Sequence, residues 1–336
     1  MKKATTLGLA VVLTALLISC GQATKSGAAA GEALIKLMPL GTMGVMAIDV
    51  QRALGTEAAT KMLQEPQAKA KYDEFVQMSG IDPIKDIFYI GIGLDGSGGK
   101  IEDGGVVISM KYDQAKLRAL MKEKAPEVVE ESYNGVPYFS NLDGTDPDKQ
   151  KTRAAFLDAD HIVIGSEKGV KGIIDVQQKK ADSILKDPAL AAALKKVDKS
   201  AIAWGAMAVP QDLLQKGIES MPQMKVLEGV TALTMSFDYR LATFVADIKA
   251  HGGTKEQNET LASTLNGFKS LGAMFAAQEP LAGEALDGVE ISSGADYTRV
   301  SISLPQEVLD KMGKLAQSKA GDLMKAGKDQ PAEEKK

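Results

Sequence analysis

IFYIGIGL, residues 87–94, and GVVISMKY, residues 105–112, are the two runs whose reading decides the architecture of this chain. Each is short, rich in β-branched residues and bounded by turn formers, the pattern of a strand. A glycine-rich loop joins them, so the second run returns as the antiparallel partner of the first. Asp113 then caps a helix in which Leu117, Leu120 and Met121 fall at helical spacing.

Working outward, the same alternation of strands and amphipathic helices continues in both directions. Val45 to Val50 reads as a strand leading into a helix with Leu54, Ala58, Met62 and Leu63 on its apolar side. Tyr133 to Ser140, Ala154 to Leu157 and His161 to Gly165 read as strands, with turns at Asn134-Gly135 and Asp158-Ala159-Asp160. Glu167 to Lys180 and Pro188 to Val197 read as helices. The order then recurs: Ala201 to Val209 as strand, Pro210 to Gly217 as helix, Val230 to Tyr239 with Leu241 to Ala250 as a strand pair, and Thr254 to Phe268 as helix. Val289 to Ser293 and Arg299 to Leu304 follow as strands, and Gln306 to Gln317 closes as a helix. The expected fold is α+β, with mainly antiparallel sheet and helices packed on one face, built by internal duplication of a strand-helix-strand-strand-helix-strands-helix unit. One continuous sheet and two subdomains both fit. The expected divisions are 34–199 and 200–317.

The wording GIDPIKDI (80–87), GVVISMKYDQAKL (105–117) and AFLDADHIVIGSEKGVKGIID (155–175) resembles a loose group of exported bacterial proteins of unknown function. The resemblance implies a compact exported α+β domain and no assigned activity or cofactor. At the N-terminus, Lys2 and Lys3 precede an apolar run from Leu7 to Ile18. It falls short of the roughly 20 residues a spanning helix needs and reads as a signal peptide over 1–19. Leu17-Ile18-Ser19-Cys20-Gly21 at its end resembles the lipobox of bacterial lipoprotein precursors. That resemblance implies diacylglycerol on the Cys20 thiol, cleavage before Cys20, and acylation, typically palmitate, of the new amino group. It further implies a cell-envelope address at the outer membrane facing the periplasm, with Gly21 where an inner-membrane signal would carry Asp. Residues 20–33 read as the lipidated cysteine and a flexible tether, and 318–336 as a charged disordered tail.

Composition narrows the chemistry. Cys20 is the only cysteine, so its commitment to lipid leaves no disulfide, thiolate metal site or cysteine nucleophile. Cleavage takes the formal charge from −4 to −6 by removing Lys2 and Lys3, a balance that repels nucleic acid. Gly93 to Lys100 (GLDGSGGK) looks like a phosphate loop. It has Leu94 where the first glycine is required, Ile101 after the lysine, and a strand rather than a helix beyond. Ser97 to Lys100 and Ser183 to Lys186 both spell Ser-x-x-Lys without the companion elements of a serine-lysine hydrolase. His161 and His251 are too few for a histidine metal site and read as surface or turn residues. Asp143, Asp146 and Asp148 do not match a calcium loop.

No catalytic, cofactor or metal residue is therefore assigned; the one site residue is Cys20. The expected role is non-enzymatic: a membrane-tethered envelope protein binding a partner protein or apolar ligand. The methionines, including Met207, Met221, Met224, Met235 and Met274, and the small-residue stretch Leu271 to Leu286 read first as packing and second as an apolar binding surface. The alternative is an envelope hydrolase with a nonlocal carboxylate or serine site, for which Asp158 or Asp160 with His161 is the nearest candidate.

Overall fold

The computed structural model describes residues 27–95, 103–142, 152–276 and 279–315. They fall into two compact units, one within Met1–Gly55 and Met62–Ala191, the other within Thr56–Lys61 and Ala192–Lys336. Cys20, the acidic cluster at 143–148, Ser97 and Lys100 lie outside the described residues. The fold is α+β and its strand pairings are antiparallel.

The helices of the first unit are α1 (Ala28–Ile35), α2 (Val50–Leu54), α4 (Pro66–Ser79), α5 (Pro83–Asp86), α6 (Gln114–Lys124) and α7 (Glu167–Gln177); α3 (Glu57–Gln64) and α8 (Pro188–Lys196) run across the division. Its strands are β1 (Thr42–Asp49), β2 (Ile87–Asp95), β3 (Asp103–Met110), β4 (Val129–Tyr133), β5 (Val136–Ser140), β6 (Arg153–Phe156) and β7 (His161–Gly165), in the order β1-β2-β3-β7-β6-β5-β4. The tether expectation is corrected by α1: Leu34 and Ile35 are buried and Gly27 precedes the first turn, so the helix starts well before residue 33 ends. Its alanine-rich sequence is a strong helix former, and burial of one face makes so short a helix stable.

Helices pack on both faces of this sheet, where one face was expected. The reason lies in the register. Ala47, Gly91, Val107 and Val163 form a row across four strands. A Cβ at Gly91 would meet Leu34 of α1 at 2.7 Å, and one at Gly105 would meet Ile173 of α7 at 2.5 Å. On the opposite face Ile108, Ile162 and Phe156 align, with Leu117 and Met121 of α6 packed over them. Strands apolar on both sides need a layer on each. The Asn134-Gly135 turn is found as read, with φ 52° and 81°. The Asn134 amide and the Tyr133 hydroxyl both donate to Asp175, fastening this hairpin to α7. β4, the outer strand, is exposed and carries Glu130 and Glu131, which blunt a free edge.

In the second unit β8 (Ala203–Ala208), β9 (Val230–Arg240), β10 (Thr243–Gly252), β11 (Val289–Ser293) and β12 (Tyr297–Pro305) lie in the order β8-β9-β10-β12-β11. Its helices are α9 (Gln211–Ser220), α10 (Lys255–Ala276), α11 (Pro280–Asp287) and a helix over 306–315. Leu241 and Ala242, read as strand, are instead the two turn residues between β9 and β10, both at positive φ. Within each unit the connectivity follows one rule. A first strand and helix lead to a hairpin, a helix follows, and the last strand of the unit returns beside the hairpin's second strand. β7 pairs with β3 in this way, and β12 with β10.

Candidate functional site

Helix α10 is the longest described element, and its start is set locally. Thr254 and Gln257 form a reciprocal cap, Thr254 N donating to Gln257 Oε1 at 2.7 Å and Gln257 N to Thr254 Oγ1 at 3.3 Å. Asn258 Nδ2 donates to the Gly252 carbonyl, and Thr298 Oγ1 to the Asn258 carbonyl, which fixes the helix against β10 and β12. Leu261, Ala262 and Ala276 are buried on the packed side. The helix was read as ending at Phe268, but it continues to Ala276, and this extra length changes its surface. Phe268, Leu271 and Phe275 recur at i, i+3 and i+7, a stripe turned about 100° from the packed one. They are 64%, 53% and 80% exposed, and neighbouring Met274 is 72% exposed. A globular surface scatters single apolar residues; four large ones within eight positions of one helix make a patch. Lys269 lies toward the packed side of the helix rather than in the stripe, and turns its ammonium to the Val289 carbonyl.

The other face of this sheet is polar. Alternation along β10 places Asp247, Lys249 and His251 on one side, and the register sets Lys249 opposite Arg299 of β12 and Thr234 of β9. A cleft of about 220 Å³ opens there, bounded also by Lys196, Asp238 and Arg240. Asp238 is buried, its Oδ1 accepting from Tyr239 N at 2.8 Å and its Oδ2 from Arg240 Nε at 2.6 Å. Asp247 Oδ2 accepts from Arg299 Nε at 2.5 Å, while Lys249 Nζ stands 3.3 Å from Oδ1. The period-two polar pattern of β10 was visible in the sequence; its meeting with Arg299 was not.

His251, read as a surface or turn residue, is buried and lies next to the last residue of β10. Its Nε2 lies 2.9 Å from Thr234 Oγ1, and Nδ1 has no partner among the described residues. Burial holds its imidazole below the ordinary 6.5, helped by the charges of Lys196 and Lys249 and opposed by Asp296. The neutral form is thus favoured in the folded chain. Stability is fully present above pH 6.5 and is lost as pH falls from there through the depressed folded value. Equilibrium urea unfolding at pH 7.5 and 5.5 should show this loss, and His251→Asn should flatten it; an equal loss in the variant would place the acid sensitivity elsewhere.

The first unit holds a crevice of about 210 Å³ between the loop after α1, the ends of β2 and β3 and the start of α7. Its floor is glycine backbone. Gly93 leaves room for the Met38 sulfur, which a Cβ would meet at 2.7 Å. Ser166 caps α7, accepting from Gly169 N at 3.1 Å and from Gly104 N at 3.3 Å, and so draws the helix onto β3. Lys168 and Asp95 pair at the crevice. Ser183 accepts from Leu185 N in a short 3₁₀ turn rather than engaging the Lys186 ammonium. His161 Nδ1 sits 2.8 Å from Asp158 Oδ1, and the same carboxylate accepts from Asp160 N, so Asp158 organises its turn. Tyr112 donates to the Asp158 carbonyl, and burial pushes its hydroxyl up to about 12. Among the described residues no histidine, cysteine and carboxylate cluster could hold a metal, and no helix is long and apolar enough to cross a membrane.

No known family matches this chain, and no curated protein does. Among solved structures it is similar to crystal forms I, III and IV of TP0453, each at 9% identity and covering 82% of this chain. The TM-scores are 0.46, 0.44 and 0.43, over 94%, 95% and 94% of the respective TP0453 chains, a likeness that carries nothing about function.

Proposed function

We propose that this chain is a lipid-anchored protein of the cell envelope, held through Cys20 at the outer membrane on its periplasmic side, and that it binds a partner protein without catalysing a reaction. The anchor rests on Leu17-Ile18-Ser19-Cys20. The binding role rests on the exposed stripe of Phe268, Leu271, Met274 and Phe275. Aromatic side chains that become buried on association supply much of the energy in protein interfaces. A bilayer surface fits less well, because Lys269, the lysine among these positions of α10, is turned to a carbonyl on the packed side and the chain is acidic overall. The hydrolase reading has less support: in the cleft Asp198, Asp238 and Asp247 are each held by arginine, and His161 meets Asp158 on an open turn.

The test places a photo-crosslinking side chain at Phe275 in the full chain in its own cells, with Glu259, exposed on the same helix, as control. A discrete heterologous protein adduct is expected from 275 and not from 259, lost when Phe268 and Leu271 become Ser in a chain that keeps its circular dichroism. Lipid adducts alone, an adduct with a second copy, or equal labelling from both positions would overturn the reading. Cys20→Ala should move the protein from the membrane to the soluble fraction, and its retention would overturn the anchor.

A further inference from the structure

We propose that the cleft on the polar face of the second unit's sheet binds a small phosphate-bearing anion between Lys249, Arg299 and Lys196. The first ground is register. Lys249 and Arg299 are direct cross-strand partners on neighbouring strands. In that position opposite charges stabilise a sheet and like charges oppose it. Two cations here share one carboxylate, Asp247, and they share it unequally: Arg299 Nε is at 2.5 Å and Lys249 Nζ at 3.3 Å.

The second ground is the number of donors left over. A guanidinium carries five N–H groups in a planar fork. Among the described residues those of Arg299 meet only Asp247 and, at 3.5 Å, the Ser301 hydroxyl. The Lys249 ammonium has Asp247 and the face of the Tyr297 ring, 5.8 Å away. Lys196 lines the same cleft from the end of α8, outside the sheet. Lys196 is bound to Asp296 at 2.7 Å, so it adds a positive wall rather than a free hand.

The third ground is space and sign. The cleft is about 220 Å³, and its lining carries Lys196, Arg240, Lys249 and Arg299 with Asp198, Asp238 and Asp247, while Asp296 pairs Lys196 from beside it. The pairing is uneven: Arg240 meets both Asp198 and Asp238, while Lys249 and Arg299 share Asp247 alone, and an anion between those two would take up the donors that Asp247 leaves over in charge-assisted hydrogen bonds. Phosphate is favoured over a monoanion because its second charge and three oxygens can use the fork and an ammonium together. This site lies on the opposite sheet face from α10 and does not depend on the partner-binding reading.

Inorganic phosphate titrated calorimetrically into the full chain, against chloride at matched ionic strength, tests the proposal. Saturable binding is expected. Lys249→Gln should weaken it by about tenfold. Asp247→Asn, which removes the competing carboxylate, should tighten it by roughly threefold, a gain that a structural role of Asp247 would not produce. Both variants are to be checked by thermal melting for an intact fold. The proposal is overturned if phosphate gives no heat beyond chloride, if the two substitutions shift affinity in the same direction or not at all, or if acetate binds as tightly as phosphate.

Discussion

Trp204→Ala should lower the stability of the second unit by about 3–5 kcal/mol, visible as a fall of the denaturation midpoint followed by circular dichroism. Trp204 is fully buried in β8, the largest such side chain in the described structure and the single tryptophan of the chain. It stands opposite Ser236 of β9, with the Lys199 ammonium 5.8 Å over its ring. A loss of that size is a large share of the roughly 5–15 kcal/mol that holds a domain together. The indole Nε1 is buried with no hydrogen-bond partner among the described residues. An unmet buried donor costs about 1–3 kcal/mol, so Trp204→Phe, which removes it while keeping most of the ring, should cost clearly less than Trp204→Ala. Equal losses from the two substitutions would mean that ring volume is not what matters at this position.

Gly169→Ala should be destabilising by more than about 2 kcal/mol, although alanine is the better helix former by nearly 1 kcal/mol. Gly169 lies in the first turn of α7, and an added Cβ would stand 2.1 Å from the Gly104 carbonyl oxygen and 2.4 Å from its carbon. Both are backbone atoms of β3, which cannot swing aside as a side chain would. The helix would have to lift, stretching the Ser166 bonds to Gly104 and opening the contact of Ile173 with Gly105. Gly267 supplies the contrast: it is also helical, in α10, and a Cβ there meets nothing within 4 Å. Gly267→Ala should therefore stabilise by about 0.5–1 kcal/mol. Chemical denaturation of the two variants decides the point, and a stable Gly169→Ala would show that α7 is free to move off the sheet.

Much of the fold was legible in the residues because the deciding signals are local. The runs at 87–94 and 105–112 became β2 and β3, Asp113 caps α6 as read, and Asn134-Gly135 makes the expected tight turn. Local reading failed where local signals are weak or conflict. The helix Pro66–Ser79 has little apolar periodicity to betray it, and none of its large apolar residues is fully buried. The small residues after Phe268 dilute the pattern that would have carried α10 on to Ala276, so the stripe that supports a binding role went unread as one surface.

The site residues divide in the same way. His251 looks like a turn residue beside Gly252 and Gly253, yet pairing of β9, β10 and β12 buries it under Thr234 and Tyr297. Lys249 and Arg299 are 50 positions apart and meet only because two strands run antiparallel in one register.

The amino-acid sequence by itself determined the class, most of the strands and helices in their order, and several turns and caps, since each depends on torsional preference and hydrogen bonding within a few residues. Only the tertiary structure decided which face each side chain takes. Packing on both sides of the first sheet gave Gly91, Gly105 and Gly169 their necessity. In the second unit, strand register gathered the charges of β10 and β12 on one face, and the seating of α10 left Phe268, Leu271, Met274 and Phe275 in solvent. Register and layer packing are choices between distant segments, and a one-residue slip would reverse them without altering any local signal.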